Sequence, residues 1–224
     1  AACSGCVVSY NFSVDNVYTA STNWFSHQAF MHAGGIDNLL LEGNVGQGLY
    51  SDMFHGSHHF VTAFRNIWNG YEVAGGTART GNAYPVTLRP LSRYYNIIGN
   101  VLGTQGFHTT YNMIYEIGTG NVNQWTAGDP QVGNTLFRWG NYDVATGTSR
   151  FLTSEVPSGI SMYANPAPAS QTLPASFYLS SRPAWWLGSK PWPGIGPDIT
   201  GGNLAQVAGH AYSNPAEDCY LNFM

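Results

Sequence analysis

Charge is what this chain has least of. Only 9% of its 224 residues are Asp, Glu, Lys or Arg, and Lys190 is the sole lysine. With a net charge of −4, it carries no basic surplus of the kind that wholesale nucleic-acid binding needs. Long apolar runs are missing too, and none approaches the roughly 18 to 20 residues of a membrane span. Cysteine is too sparse for a zinc centre: Cys3 and Cys6 form one C-x-x-C, no second follows, and Cys219 stands alone. Val7 sits where covalent haem attachment would need His. What remains for the cysteines is a small disulfide or buried thiols. Neither an Asp-Asp pair nor an H-E-x-x-H pattern occurs.

Amides, hydroxyls and glycine take the place of charge. Hydrophobic residues make up 43% of the chain and glycines number 27, which excludes disorder and suits many short strands joined by tight turns. The opening "AACSGCVVSYNF" enters a strand-like run with neither a basic segment nor an apolar leader before it. A leader already removed would explain this, as would a start inside a longer reading frame. The second is the favoured expectation, with further coils upstream and an uncapped end able to self-associate.

Short apolar runs that end at Asn recur along the chain. They are CVVSYNF at Asn11, LLLEGNV at Asn44, VTAFRNI at Asn66, YNIIGNV at Asn100 and LFRWGNY at Asn141, with steps of 33, 22, 34 and 41 residues. A 22-residue step lengthened by Gly- and Asn-rich insertions is a solenoid pattern. The runs are too short and too rich in β-branched and aromatic residues for helices, so the predicted class is all-β, a parallel β-helix. Its coils should span residues 1–150, with residues 151–224 forming an irregular wrap or cap. Val8, Leu41, Ala63, Ile97 and Arg138, three before each Asn, should form one column, mostly core. Phe12, Val45, Ile67, Val101 and Tyr142, one after it, should be core as well. Ser9, Glu42, Phe64, Ile98 and Trp139 should face outward, and the Asn itself should turn the corner in left-handed geometry.

The runs SHHFVTAFRNIWNG and SRYYNIIGNVLGT resemble coils of right-handed parallel β-helix proteins of the pectate-lyase-like superfamily. That resemblance implies a secreted protein that cleaves or holds polysaccharide. Family hydrolases use clustered aspartates, which this chain lacks. Family lyases use an Arg or Lys base with calcium held by carboxylates. TLRPLSRYY supplies Arg89 and Arg93, similar to the Arg-x-Pro-x-x-Arg run of pectate lyases except that Pro90 directly follows Arg89.

The charges fall in two blocks. The first 64 residues hold Asp15, Asp37, Glu42 and Asp52 without any Lys or Arg, while Arg79, Arg89 and Arg93 lie between Glu72 and Glu116 without any acid. Glu42 and Asp52 are therefore candidate calcium ligands, and Arg89 and Arg93 candidate bases. In DMFHGSHHFVTAFRNIWNG the histidines lie in the turn entering the Asn66 coil. His58 is a candidate acid–base group, with His59 and Arg65 as substrate contacts. A transition-metal site there would need His27 or His32 from the neighbouring coil. Nine of the twelve prolines lie between Pro157 and Pro215, which excludes regular helix or central strand. There Trp185 and Trp186 offer a sugar-stacking platform, as Trp139 does on the coils.

Two functions follow from these features. One is a secreted polysaccharide lyase acting on a uronate polymer, with calcium. The other is a non-catalytic β-helix, an adhesin or fibre subunit, that binds glycan or copies of itself.

Overall fold

An asparagine side chain donates and accepts at once, so a column of them can hydrogen-bond along its own length. In the computed structural model, which describes residues 3–120, 127–160, 167–186 and 188–223, the Asn-terminated runs are joined in this way. The Nδ2 of Asn11, Asn44, Asn66 and Asn100 each donates to the Oδ1 of the next Asn at 2.9–3.0 Å, ending on Asn141. The same Oδ1 atoms accept the backbone N–H of the Asn before them. Each later Asn also donates to a carbonyl on the preceding run, as Asn66 does to Leu41 O at 2.9 Å.

Around this column the chain passes repeatedly through the same three parallel sheets. The first is built of Val7–Ser9, Leu40–Glu42, Thr62–Phe64, Asn96–Ile98 and Phe137–Trp139. Its register aligns Val8, Leu41, Ala63, Ile97 and Arg138, as the Asn spacing predicts. The second comprises Val45–Gly46, Ile67–Trp68, Val101–Leu102 and Asn141–Asp143, with Thr148–Arg150 added antiparallel. Ala29–Met31, Leu49–Ser51, Val86–Leu88 and Tyr115–Ile117 make the third. A short parallel pair, Ile36–Asp37 and His58–His59, links the third sheet back to the first. Insertions account for the unequal steps. The hairpin of Glu72–Ala74 and Thr77–Arg79, for example, separates Asn66 from Asn100. The regular structure of the described residues is thus mostly strand, with a few short helices such as Pro130–Asn134 and Pro215–Phe223.

One core fills the space between the sheets. Leu41, Ala63 and Ile97 meet Trp68 and Leu102 of the second sheet and Met31, Leu49, Val86 and Leu88 of the third. Two sequence expectations are corrected here. The left-handed residue at the corner is not Asn but the one before it: Tyr10, Gly43, Arg65, Gly99 and Gly140 have φ between 51° and 69°. The Asn backbone stays outside that region, so its amide can point along the column. At Gly43 the corner must be glycine for a second reason, because a Cβ there would lie 2.5 Å from the Tyr10 ring.

The residues after each Asn are apolar for a different reason than the central core. Val45, Ile67, Val101 and Tyr142 form a separate cluster with Ile195, Leu204, Val207 and Ala211 of the Pro-rich segment. The corner reverses the alternation, so these side chains face outward and are buried by the segment lying over them. The outward column of the first sheet is covered likewise. Phe177 packs on Phe64 with ring centroids 4.0 Å apart, and Ser176 Oγ and Phe177 N donate to Glu42 at 2.5 and 2.8 Å. Arg65 fastens this cover, forming a two-pronged pair with Asp198 at 2.7 and 2.9 Å while donating to the carbonyls of Pro174 and Ile195.

Asn66 is fully buried, and losing its amide would strip partners from Asn44, Leu41 and Asn100. Asn66→Ala should therefore lower the unfolding free energy by about 2–4 kcal/mol in urea denaturation, at about 1–3 kcal/mol per orphaned buried group. Asn11→Ala, at the exposed end of the column, should cost clearly less.

Candidate functional site

Alternation along the third sheet separates its two faces. Met31, Leu49, Val86 and Leu88 point into the core, so the aligned residues Phe30, Tyr50, Thr87 and Glu116 point outward. One residue past the ends of the first three strands stand His32, Asp52 and Arg89, outward again. The ladder continues through these positions, because Asp52 N donates to Met31 O and Arg89 N to Ser51 O.

Aromatic rings run across this face. From Tyr18 to Trp24 the centroids are 5.0 Å apart, from Trp24 to Phe30 6.4 Å, from Phe30 to His32 5.3 Å and from His32 to Phe54 5.7 Å. Tyr50 lies beside the row, 5.2 Å from Phe30. Tyr18, Phe30 and Phe54 are exposed. Trp24 is braced by the hairpin insertion. It bridges to Gly81, Asn23 accepts from Thr80 N at 2.9 Å, and Arg79 donates to Ser21 O at 2.8 Å. Beneath the row, the Thr87 hydroxyl is buried with no hydrogen-bond partner among the described residues.

Two charged pairs flank the rings. His32 Nδ1 meets Asp52 Oδ2 at 2.5 Å, the carboxylate being buried and also accepting from Phe54 N at 3.1 Å. Arg89 lies over the Tyr50 ring, donates to its hydroxyl at 3.2 Å and pairs with Glu116 at 2.9 Å. Burial alone would favour a neutral Arg89, but Tyr50 and Glu116 outweigh it and push the pKa above the usual arginine value. A guanidinium held in this way keeps its proton and serves as a fixed cation.

The remaining sequence candidates are dispersed. Arg93 pairs with Asp129 at 2.8 Å, whereas Arg89 pairs with Glu116, and the Arg93 backbone bridges to His59 beside the short sheet. His59 is 3.2 Å from Asp37. His58 is fully buried, with Nδ1 on Ser51 and Nε2 on Ala33 O, and burial lowers its pKa. Arg65 is committed to the C-terminal segment, and Trp139 is buried edge-on against Phe151. Trp186 is buried beside Tyr10, whereas Trp185 is half exposed. Glu42 and Asp52 do not converge, since one faces the Pro-rich cover and the other His32. No group of three or more His, Cys, Asp or Glu suited to a metal occurs among the described residues. His27, weighed as a metal ligand, is instead buried between Tyr84 O at 2.7 Å and the Asn82 amide at 3.1 Å.

Sequence reasoning missed the aromatic row and weighed His32 only as a metal ligand. A signal was present in F-M-H, Y-S-D and T-L-R, three strands with the same outward-inward-outward pattern, but no Asn anchors them to the repeat. Comparison with family models, curated proteins and solved structures returns no match.

Burial, aided by the nearby Arg89 cation, holds His27 down to about 4 against the opposing bond to Tyr84 O. His27 therefore stays neutral in the folded protein while the unfolded chain takes up a proton below about pH 6.5. The stability this confers is complete above that pH and is lost as pH falls toward 4, by about 3 kcal/mol. Histidine NMR should show no His27 titration above pH 5, and urea unfolding at pH 7 and 4.5 should show the loss.

Proposed function

We propose that the three parallel sheets are the faces of one right-handed parallel β-helix, and that the protein is a secreted polysaccharide lyase acting on a uronate polymer. The observation that carries this reading is the outward row of rings on the third sheet, ending beside a fixed cation. Pyranose faces stack on exposed aromatic rings, and a guanidinium pairs with a sugar carboxylate in two-pronged geometry. In this reading Trp24, Phe30 and Tyr18 hold the sugars, and Arg89 neutralises the uronate carboxylate. Neutralisation acidifies the neighbouring C–H, which is the electrostatic part of an elimination. Calcium would add to the neutralisation of the uronate carboxylate, but Glu42 and Asp52 lie apart and form no joint cage for it. The Cys3–Cys6 disulfide agrees with an oxidising compartment.

A second reading, a non-catalytic glycan-binding or self-assembling β-helix, draws on two observations. Arg89 already has Glu116 as counter-ion, which suits holding a sugar as well as reacting on it. Exposed Val7 and Val8 on the edge strand of the first sheet would serve association between copies.

The deciding assay follows the ultraviolet absorbance of unsaturated uronate ends on pectate, alginate and related polymers, with calcium and then with chelator. A rise is expected. Arg89→Ala should reduce kcat/KM by about 10- to 150-fold, the worth of one charged hydrogen bond. Arg93→Ala, whose partner is Asp129, should have a far smaller effect. Polymer retention without any rise would select the second reading, and sedimentation would then test self-association.

A further inference from the structure

We propose that His32 is the proton-abstracting base of this site, with Asp52 as its positioning residue. The inference rests on the lyase reading and adds the group that reading lacks, because Arg89 is held as a cation and cannot take a proton.

The geometry is that of an oriented imidazole. A carboxylate only accepts, so the 2.5 Å contact places a proton on His32 Nδ1, and in the neutral imidazole the lone pair is then the one on Nε2. Asp52 is buried and fixed by Phe54 N, so the ring is held from below while nearly half of the His32 side chain is open to solvent. Nε2 makes no hydrogen bond to any described residue. Phe30 stacks on one side of the ring at 5.3 Å with planes 23° apart, and His55 meets it edge-on at 4.7 Å. The groups facing His32 are thus Asp52, His55, Phe30 and Phe54, with buried His58 behind Asp52. His32 stands two strands from Arg89, roughly 10 Å between backbones at the spacing of a parallel sheet. Side chains reaching in from both positions can meet on one sugar ring.

The reaction balances without a co-reactant. Nε2 takes the proton from the carbon beside the uronate carboxylate, and the C–H electron pair becomes the new carbon–carbon double bond. The bond from the adjacent carbon to the glycosidic oxygen breaks, and that oxygen leaves with its electron pair. It then receives the proton back from the His32 imidazolium. Arg89 stays charged throughout, facing the carboxylate.

The test uses the whole chain, with turnover read as uronate absorbance and polymer binding as tryptophan fluorescence. His32→Ala should lower kcat by about 100- to 10,000-fold, the range for loss of a general base. KM should stay within about threefold, and added imidazole should restore at least a tenfold share of the rate. Asp52→Asn should lower kcat with KM little changed and without rescue by imidazole, since the ring is present but unoriented. Should Asp52→Asn fail to fold, His32→Ala with its rescue and His32→Gln without it decide the question. Wild-type turnover that survives His32→Ala would overturn the base and leave the lyase reading standing. A wild type that binds polymer but never turns it over would overturn both.

Discussion

The asparagine column is the constraint on which the rest depends. Each amide satisfies backbone groups on two neighbouring runs, so it fixes their vertical spacing and their register in one step. A slip of one residue would expose the core face of a strand and break the column as well. Insertions as different as the Gly-rich hairpin and the segment before Asn44 are tolerated because they leave from the sheets and return before the next Asn. The third sheet, on the far side of that loop-out, inherits its alignment from the column.

That inheritance explains how the candidate site is assembled. His32, Asp52 and Arg89 follow three strands separated by insertions of unequal length, yet each stands one residue past the aligned strand ends Met31, Ser51 and Leu88. The aromatic row depends on the insertions themselves, since Trp24 is held by Asn23 against the loop following the hairpin.

Much of the fold was legible in the sequence, and the reason is local. Asn is a strong marker because few residues can replace its paired donor and acceptor, so the register of the first sheet followed directly from spacing. The corner was misread because αL tolerance was credited to Asn, when its side chain was required elsewhere and Tyr10, Arg65 or glycine took the strained φ. The column after Asn was apolar as expected but faces outward, and periodicity alone cannot distinguish a side chain buried by the core from one buried by a remote segment such as Ile195 to Ala211. The site was only partly legible. Arg89 and Asp52 were singled out, but their neighbours Phe30, Trp24 and Tyr50 lie in stretches whose alignment only the three-dimensional register supplies.

The scarcity of charge has a consequence for how this protein meets its surroundings. Five ion pairs among the described residues join Arg65, Arg89, Arg93, Arg150 and Lys190 to acids of the same chain. Most of the few cations are therefore already answered internally. Internal pairing leaves the net charge at −4, carried by acids without a cationic partner, so no positive field draws an anionic molecule from a distance. Encounters with other molecules are governed at contact distance by rings, amides and hydroxyls, and so by shape and hydration more than by attraction from afar.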